Sequence, residues 1–417
     1  MHQNARRPTR ASLPPTKTPD EGGMPAHEMA EHSLLESEAW ENIDRTVNAA
    51  MARFTGGISP VALAMAYFDW LSHLAASPGK QFQLAEKAAR KGSRFVLCAT
   101  SSMIDPETQC CIEPLPQDNR FTHEAWQRFP YNLIYQAFLL NQQWWHNATT
   151  GVRGVSKHNE EATSFIARQV LDMFSPSNIP FLNPEIMQTT LEEKGANLVR
   201  GAGNFVDDVQ RAIRGEKPAG TEAFQVGMNV AITPGKVVYR NRLIELIQYA
   251  PTTDTVRREP VLMQSAWMMK YYIMDLSPHN SMVKYLVDRG HTVFMISWLN
   301  PGPEDRDLGM DDYQNLGTMA AIDAISEMLP GRKIHAVGYC LGGILLTITA
   351  ATMARDGDDR LASITLFTTM TDFTEVGEIA VFMDPSEATY LEDMMWEKGY
   401  LDPKQASGGF QLLNPRT

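Results

Sequence analysis

The chain has 417 residues, 43% of them hydrophobic and 21% charged, so it can bury a sizeable core and is neither disordered nor fibrous overall. Its formal net charge of −12 excludes a general nucleic-acid binder, which needs a basic excess to neutralise phosphates. The four cysteines, Cys98, Cys110, Cys111 and Cys340, have neither zinc-ligand spacing nor disulfide density, so no metal and a reducing cytoplasm are expected.

Residues 1–31 carry five prolines and few large apolar side chains, which predicts a disordered tail. No apolar run follows Arg6, Arg7 and Arg10, so no secretory signal is expected. A helical domain is predicted over 32–225. Trp40, Ile43, Val47 and Met51 recur at helical spacing in a first helix, about 35–54. Ser59-Pro60 opens a second, and a third runs from about Pro78 towards Leu97. The second is interrupted by Asp69 and His73 and is too short to span a bilayer. Its Tyr67, Phe68, Trp70, Leu71 and Leu74 fit either an internal core or a surface for a partner or an apolar particle. Further helices are expected up to Trp144-Trp145, over 158–174, and over 184–214.

At residue 226 the periodicity changes. Two strands, Val237–Tyr239 and Leu243–Tyr249, flank the tight turn Asn241-Arg242. Strand Val261–Gln264, a helix at 278–289, strand Thr292–Trp298, a helix at 317–329, strand Ile334–Gly338, a further helix and strand Ala362–Phe367 follow. A hairpin followed by alternating strands and helices predicts an α/β class chain, the first part of an α/β-hydrolase sheet at 226–371, while 372–417 are too interrupted by Pro385, Pro403, Gly408 and Gly409 to continue the sheet.

Within that sheet lies Gly338-Tyr339-Cys340-Leu341-Gly342-Gly343, between two apolar runs. This is the pattern of a nucleophile elbow, with Cys340 on a sharp strand-to-helix turn. Gly338, Gly342 and Gly343 are expected where side chains would collide with neighbouring elements. The helix N-terminus favours a thiolate at Cys340, and the Leu341 N–H can donate to an oxyanion. The loop Ser265-Ala266-Trp267 stands where the second oxyanion donor, the Ala266 N–H, is expected. An ordinary strand–glycine–helix turn around a buried cysteine would use the same glycines.

The chain after about residue 35 resembles the class I poly(3-hydroxyalkanoate) synthases. The resemblance rests on Asp118-Asn119-Arg120-Phe121 with Trp126, Ser175-Pro176-Ser177-Asn178, Thr233-Pro234-Gly235 and Glu245-Leu246-Ile247-Gln248-Tyr249. It continues through Lys270-Tyr271-Tyr272-Ile273, Asp275-Leu276, Gly290-His291-Thr292-Val293-Phe294, the Cys340 box, Thr371-Asp372-Phe373 and Gly399-Tyr400-Leu401-Asp402. Ala266-Trp267-Met268-Met269 departs from the family's usual proline-tryptophan-isoleucine-asparagine. The resemblance implies a cysteine acyltransferase that polymerises (R)-3-hydroxyacyl-CoA and releases coenzyme A, without a cofactor. It also implies association with a polyester granule in the cytoplasm, and a homodimer or pairing with a full-length synthase.

That family's histidine and aspartate follow its nucleophile, yet all ten histidines here precede Cys340. His335 and His291 are the nearest, and neither is expected to be the base; Asp372 is not at the position of the family acid. The resemblance therefore implies a C-terminally truncated chain without turnover. Two alternatives are a non-catalytic granule-associated or regulatory partner of a full-length synthase, and a cysteine α/β-hydrolase. The long helical N-terminal region argues against the hydrolase.

Overall fold

The computed structural model describes residues 26–55, 57–104 and 111–401. Most of the segment read as a tail, 1–25, lies outside them, as do Cys110 and residues 402–417.

Helices α1 (Ala26–Thr55), α2 (Pro60–Ala75), α3 (Pro78–Ile104), α4 (Tyr131–Thr149) and α5 (Lys157–Met173) build the first layer. Ser59 caps α2 through its Oγ, which accepts from the Ala62 N–H at 3.3 Å, with Pro60 at the first turn. Trp70 on α2 turns inward and donates its indole N–H to the Ala148 carbonyl, whereas Tyr67, Phe68 and Leu71 face outward. The single helix expected over 184–214 is two, α6 (Pro184–Glu192) and α7 (Ala196–Arg214). Lys194 and Gly195 between them take left-handed φ values of 52° and 88°, which no continuing helix allows. None of α7's side chains is buried, and its Val199, Phe205, Val206 and Ile213 are exposed.

Strands β1 (Gly235–Arg240) and β2 (Ile244–Tyr249) form the expected antiparallel hairpin. Asn241 sets its turn, its Oδ1 accepting from the Leu243 and Ile244 N–H groups at 2.8 and 2.9 Å. Then come β3 (Val261–Gln264), the small hairpin β4 (Asp275–Ser277) and β5 (Asn280–Ser281), and α8 (Met282–Val287). The helix expected from 278 starts later because the β4–β5 pair occupies its first residues. Strand β6 (Val293–Trp298), α9 (Met310–Asp312), a π-helical stretch over Tyr313–Met319, α10 (Ala320–Met328), β7 (Ile334–Tyr339), α11 (Leu341–Asp356), β8 (Leu361–Phe367) and α12 (Pro385–Lys398) complete the chain order.

The sheet runs β1-β2-β6-β3-β7-β8, antiparallel through β1, β2 and β6 and parallel from β6 to β8. All four residues of β3 are buried, as a central parallel strand covered on both faces requires. One face packs Leu262, Phe294 and Ile296 against Ile322, Ile325 and Leu345 of α10 and α11. The other packs Met263, Met295 and Val337 against Val283 and Val287 of α8. Among the described residues β8 is an edge strand, with Ile364 and Phe367 exposed.

Helix α12 folds back onto the first helices rather than onto the sheet. Ala49 and Ala52 meet Tyr390 and Met394, Asn48 donates to Asp393 at 2.9 Å, and Arg53 pairs with Glu397. Both carboxylate oxygens of buried Glu387 accept from the Ser59 N–H, at 2.9 and 3.0 Å. Burial pushes this carboxyl above the usual range, against the pull of the Ser59 N–H. Glu387→Ala should strand that buried N–H and cost about 1–3 kcal/mol. Thermal unfolding of the two proteins measures it, and equal midpoints would show that the contact contributes nothing.

Candidate active site

The sequence around residue 340 dictates its own geometry. Strand β7 delivers the chain to Cys340, whose φ of 55° and ψ of −126° lie in a region that L-residues adopt only under constraint. The constraint is visible in the hydrogen bonds. The Cys340 N–H donates to the Phe367 carbonyl of β8 at 2.9 Å. Its carbonyl accepts from Gly343 and Ile344 at 2.9 and 3.2 Å, which closes the first turn of α11.

The glycines answer to close backbone approach. A Cβ on Gly338 would lie on the Gly343 Cα and 2.9 Å from its nitrogen. One on Gly342 would lie 2.5 Å from the Ser265 carbonyl oxygen, and one on Gly343 would overlap Thr369. These contacts favour the elbow over an ordinary turn, since they press the turn against both neighbouring strands' ends.

The loop after β3 is tied to the elbow by side chains that sequence reasoning missed. Buried Gln264 donates through Nε2 to the Gly342 carbonyl at 2.6 Å and accepts through Oε1 from Thr318 at 2.9 Å. Trp298 donates its indole N–H to the Ser265 carbonyl at 3.0 Å. Ala266 is fully buried, and its N–H has no acceptor among the described residues. The one signal for Gln264 was a polar residue ending the otherwise apolar strand Val261-Leu262-Met263.

His335 and His291 stand at the opposite end of the sheet. His335 precedes Cys340 by five residues of nearly extended strand, about 16 Å. Its Nδ1 lies 2.7 Å from the Ser363 Oγ. Burial, with Arg257 and His335 nearby, holds the His291 imidazole below its ordinary range. Asp372 is spent locally, its carboxylate accepting from the Thr374 N–H and hydroxyl, which holds it below the usual range.

The other described cysteines are unlike Cys340. Cys98 is buried, and burial pushes the Cys111 thiol up to about 12 while its S–H donates to Gln136 at 3.0 Å. At pH 8 iodoacetamide should therefore label half-buried Cys340 before Cys98 or Cys111. Peptide mapping over time checks this, and earlier labelling of Cys111 would contradict it.

Among the described residues no group of three or more His, Cys, Asp or Glu is arranged for a metal, and no helix is long and apolar enough to cross a membrane.

The sheet order, the strained Cys340 turn and the glycine contacts define an α/β-hydrolase-type domain with a cysteine on the sharp turn between β7 and α11, and residues 260–397 match the model for the alpha/beta hydrolase fold. Two further models match the chain: the poly-beta-hydroxybutyrate polymerase (PhaC) N-terminus over residues 117–286, and the poly-beta-hydroxybutyrate polymerase N terminal over 38–80. The poly(3-hydroxyalkanoate) polymerase of Methylorubrum extorquens is 38% identical over 341 residues, covering 81% of this chain and 56% of the relative. The poly(3-hydroxyalkanoate) polymerase subunit of Rhizobium meliloti is 37% identical over 300 residues, 71% of this chain and 49% of its own. That of Cupriavidus necator is 35% identical over 278 residues, 66% and 46% respectively. This chain belongs to the poly(3-hydroxyalkanoate) polymerase family, and it spans about half the length of the curated relatives it matches.

Proposed function

We propose that Cys340 accepts the acyl group of an (R)-3-hydroxyacyl-CoA as the loading step of polyester synthesis. The observation that carries this reading is the strained elbow itself, φ 55° at a cysteine, in a chain of this family. The Cys340 sulfur attacks the thioester carbonyl carbon, and the oxyanion that forms accepts from the Leu341 and Ala266 N–H groups. Collapse expels the coenzyme A thiolate and leaves an acyl thioester on Cys340. One thioester replaces another, so loading is close to balanced, which suits cysteine better than serine. Extension then requires the 3-hydroxyl of a second unit to attack that carbonyl after giving its proton to a base.

Neither of the two histidines nearest Cys340 in sequence serves as that base in this reading, because His335 lies about 16 Å down the strand and His291 at the same far end. The 417 residues alone are therefore expected to load once and not to turn over. The same histidine placement favours a second reading, a non-catalytic partner that joins a longer synthase at a granule surface.

Release of coenzyme A from (R)-3-hydroxybutyryl-CoA, followed to completion, tests the proposal. Release that stops near one equivalent per chain agrees with loading alone. Sustained release with polymer would demand a base that this reading lacks. No release at all would leave the partner reading.

A further inference from the structure

We propose that Trp298 is a positioning residue that aims the oxyanion donor of the β3 loop, an inference that rests on the acyl-transfer reading above. In a trans peptide the Ser265 carbonyl and the Ala266 N–H point in opposite directions. The indole N–H of Trp298, at the end of β6, holds that carbonyl at 3.0 Å. The same oxygen faces Gly342 so closely that a Cβ there would come within 2.5 Å of it. The Ala266 N–H therefore takes no part in the contact with Gly342, and in its fully buried position it has no acceptor among the described residues. A buried N–H without an acceptor is costly unless a transient one arrives, and an oxyanion is such an acceptor.

Trp298 is itself held in place. The π-helical stretch seats Gly317 against the indole, where a Cβ would lie 2.5 Å from the ring, and the Tyr313 ring sits 5.7 Å away. π-Helical turns are uncommon and concentrate at functional sites. The next residue, Thr318, donates to Gln264, which grips the Gly342 carbonyl. One irregular turn thus braces both halves of the site: the elbow through Gln264 and the donor loop through Trp298.

The test separates acylation, which needs an oxyanion donor, from alkylation, which does not. In the 417-residue chain, Trp298→Phe removes the indole N–H while keeping an aromatic ring. Acylation of Cys340 by (R)-3-hydroxybutyryl-CoA should fall at least about tenfold, with iodoacetamide labelling of Cys340 unchanged within about twofold. Unchanged acylation overturns the proposal. So does a matched fall in both rates, which would place Trp298 in the fold rather than in the aim of the loop. If the phenylalanine variant does not fold, replacing Trp298 by benzothienylalanine exchanges the N–H for sulfur in the same shape, with the same expectations. If the parent chain alkylates but never acylates, the loading reading fails instead. The crystal structure of the variant then decides this proposal: a rotated 265–266 peptide supports it, and an unmoved one overturns it.

Discussion

Gly338→Ala will leave the sheet half of this chain unable to fold around its elbow. The added Cβ would land on the Gly343 Cα and 2.9 Å from its nitrogen, so backbone rather than a flexible side chain must give way. Both partners are buried where β7 passes into α11, and the Cys340 hydrogen bonds to Phe367, Gly343 and Ile344 fix the turn between them. Overpacking ordinarily costs about 1–3 kcal/mol, and a collision with backbone belongs at or above the upper end. Against a total stability of roughly 5–15 kcal/mol, that is a large share. Near-UV circular dichroism and limited proteolysis of 226–371 will register it. A cooperative transition at the parent temperature would show that the elbow relaxes more easily than its contacts imply.

Cys340→Ser will keep the turn and lose the chemistry. Serine is close in size, and backbone contacts hold the φ of 55°. A hydroxyl at this position needs a base to become a nucleophile, and the two nearest histidines in sequence lie at the other end of the sheet. Loss of the nucleophile from a complete serine-protease triad costs about 10⁶, and a hydroxyl without a base is a far weaker nucleophile than a thiolate, so acyl transfer should fall to background. Matched far-ultraviolet spectra and midpoints with acylation lost are the expected pair of results. Retained acylation in the serine variant would require a base close to residue 340.

Much of this was legible in the residues. The period change at 226, the Asn241 turn and the alternation that follows place every strand of the six-stranded sheet to within a residue or two. They could do so because strand and helix periodicities are local properties. The elbow was legible because steric demand there falls on glycine, which no other residue replaces. What escaped depends on pairs far apart in the chain. Gln264 meets Gly342 across 78 residues and Thr318 across 54, and nothing local to Val261–Gln264 says where an amide ending a strand will bond. Glu387 reaches Ser59 across 328 residues, so the docking of α12 on α1 and α2 had no local signature. The break at Lys194-Gly195 was half legible. Gly195 is an ordinary helix stop, but the apolar spacing of α7 resumes at once and disguises it. The π-helical stretch has no sequence period of its own that separates it from α10.

The central claim, that the elbow cysteine takes the acyl group, is tested most directly by locating that group. After incubation with (R)-3-hydroxybutyryl-CoA and an acid quench, intact mass followed by peptide mapping will read where it sits. A single 3-hydroxybutyryl adduct on the peptide containing Cys340, absent from Cys340→Ala, is the predicted result. An adduct on another residue, or one that persists in Cys340→Ala, would contradict the account.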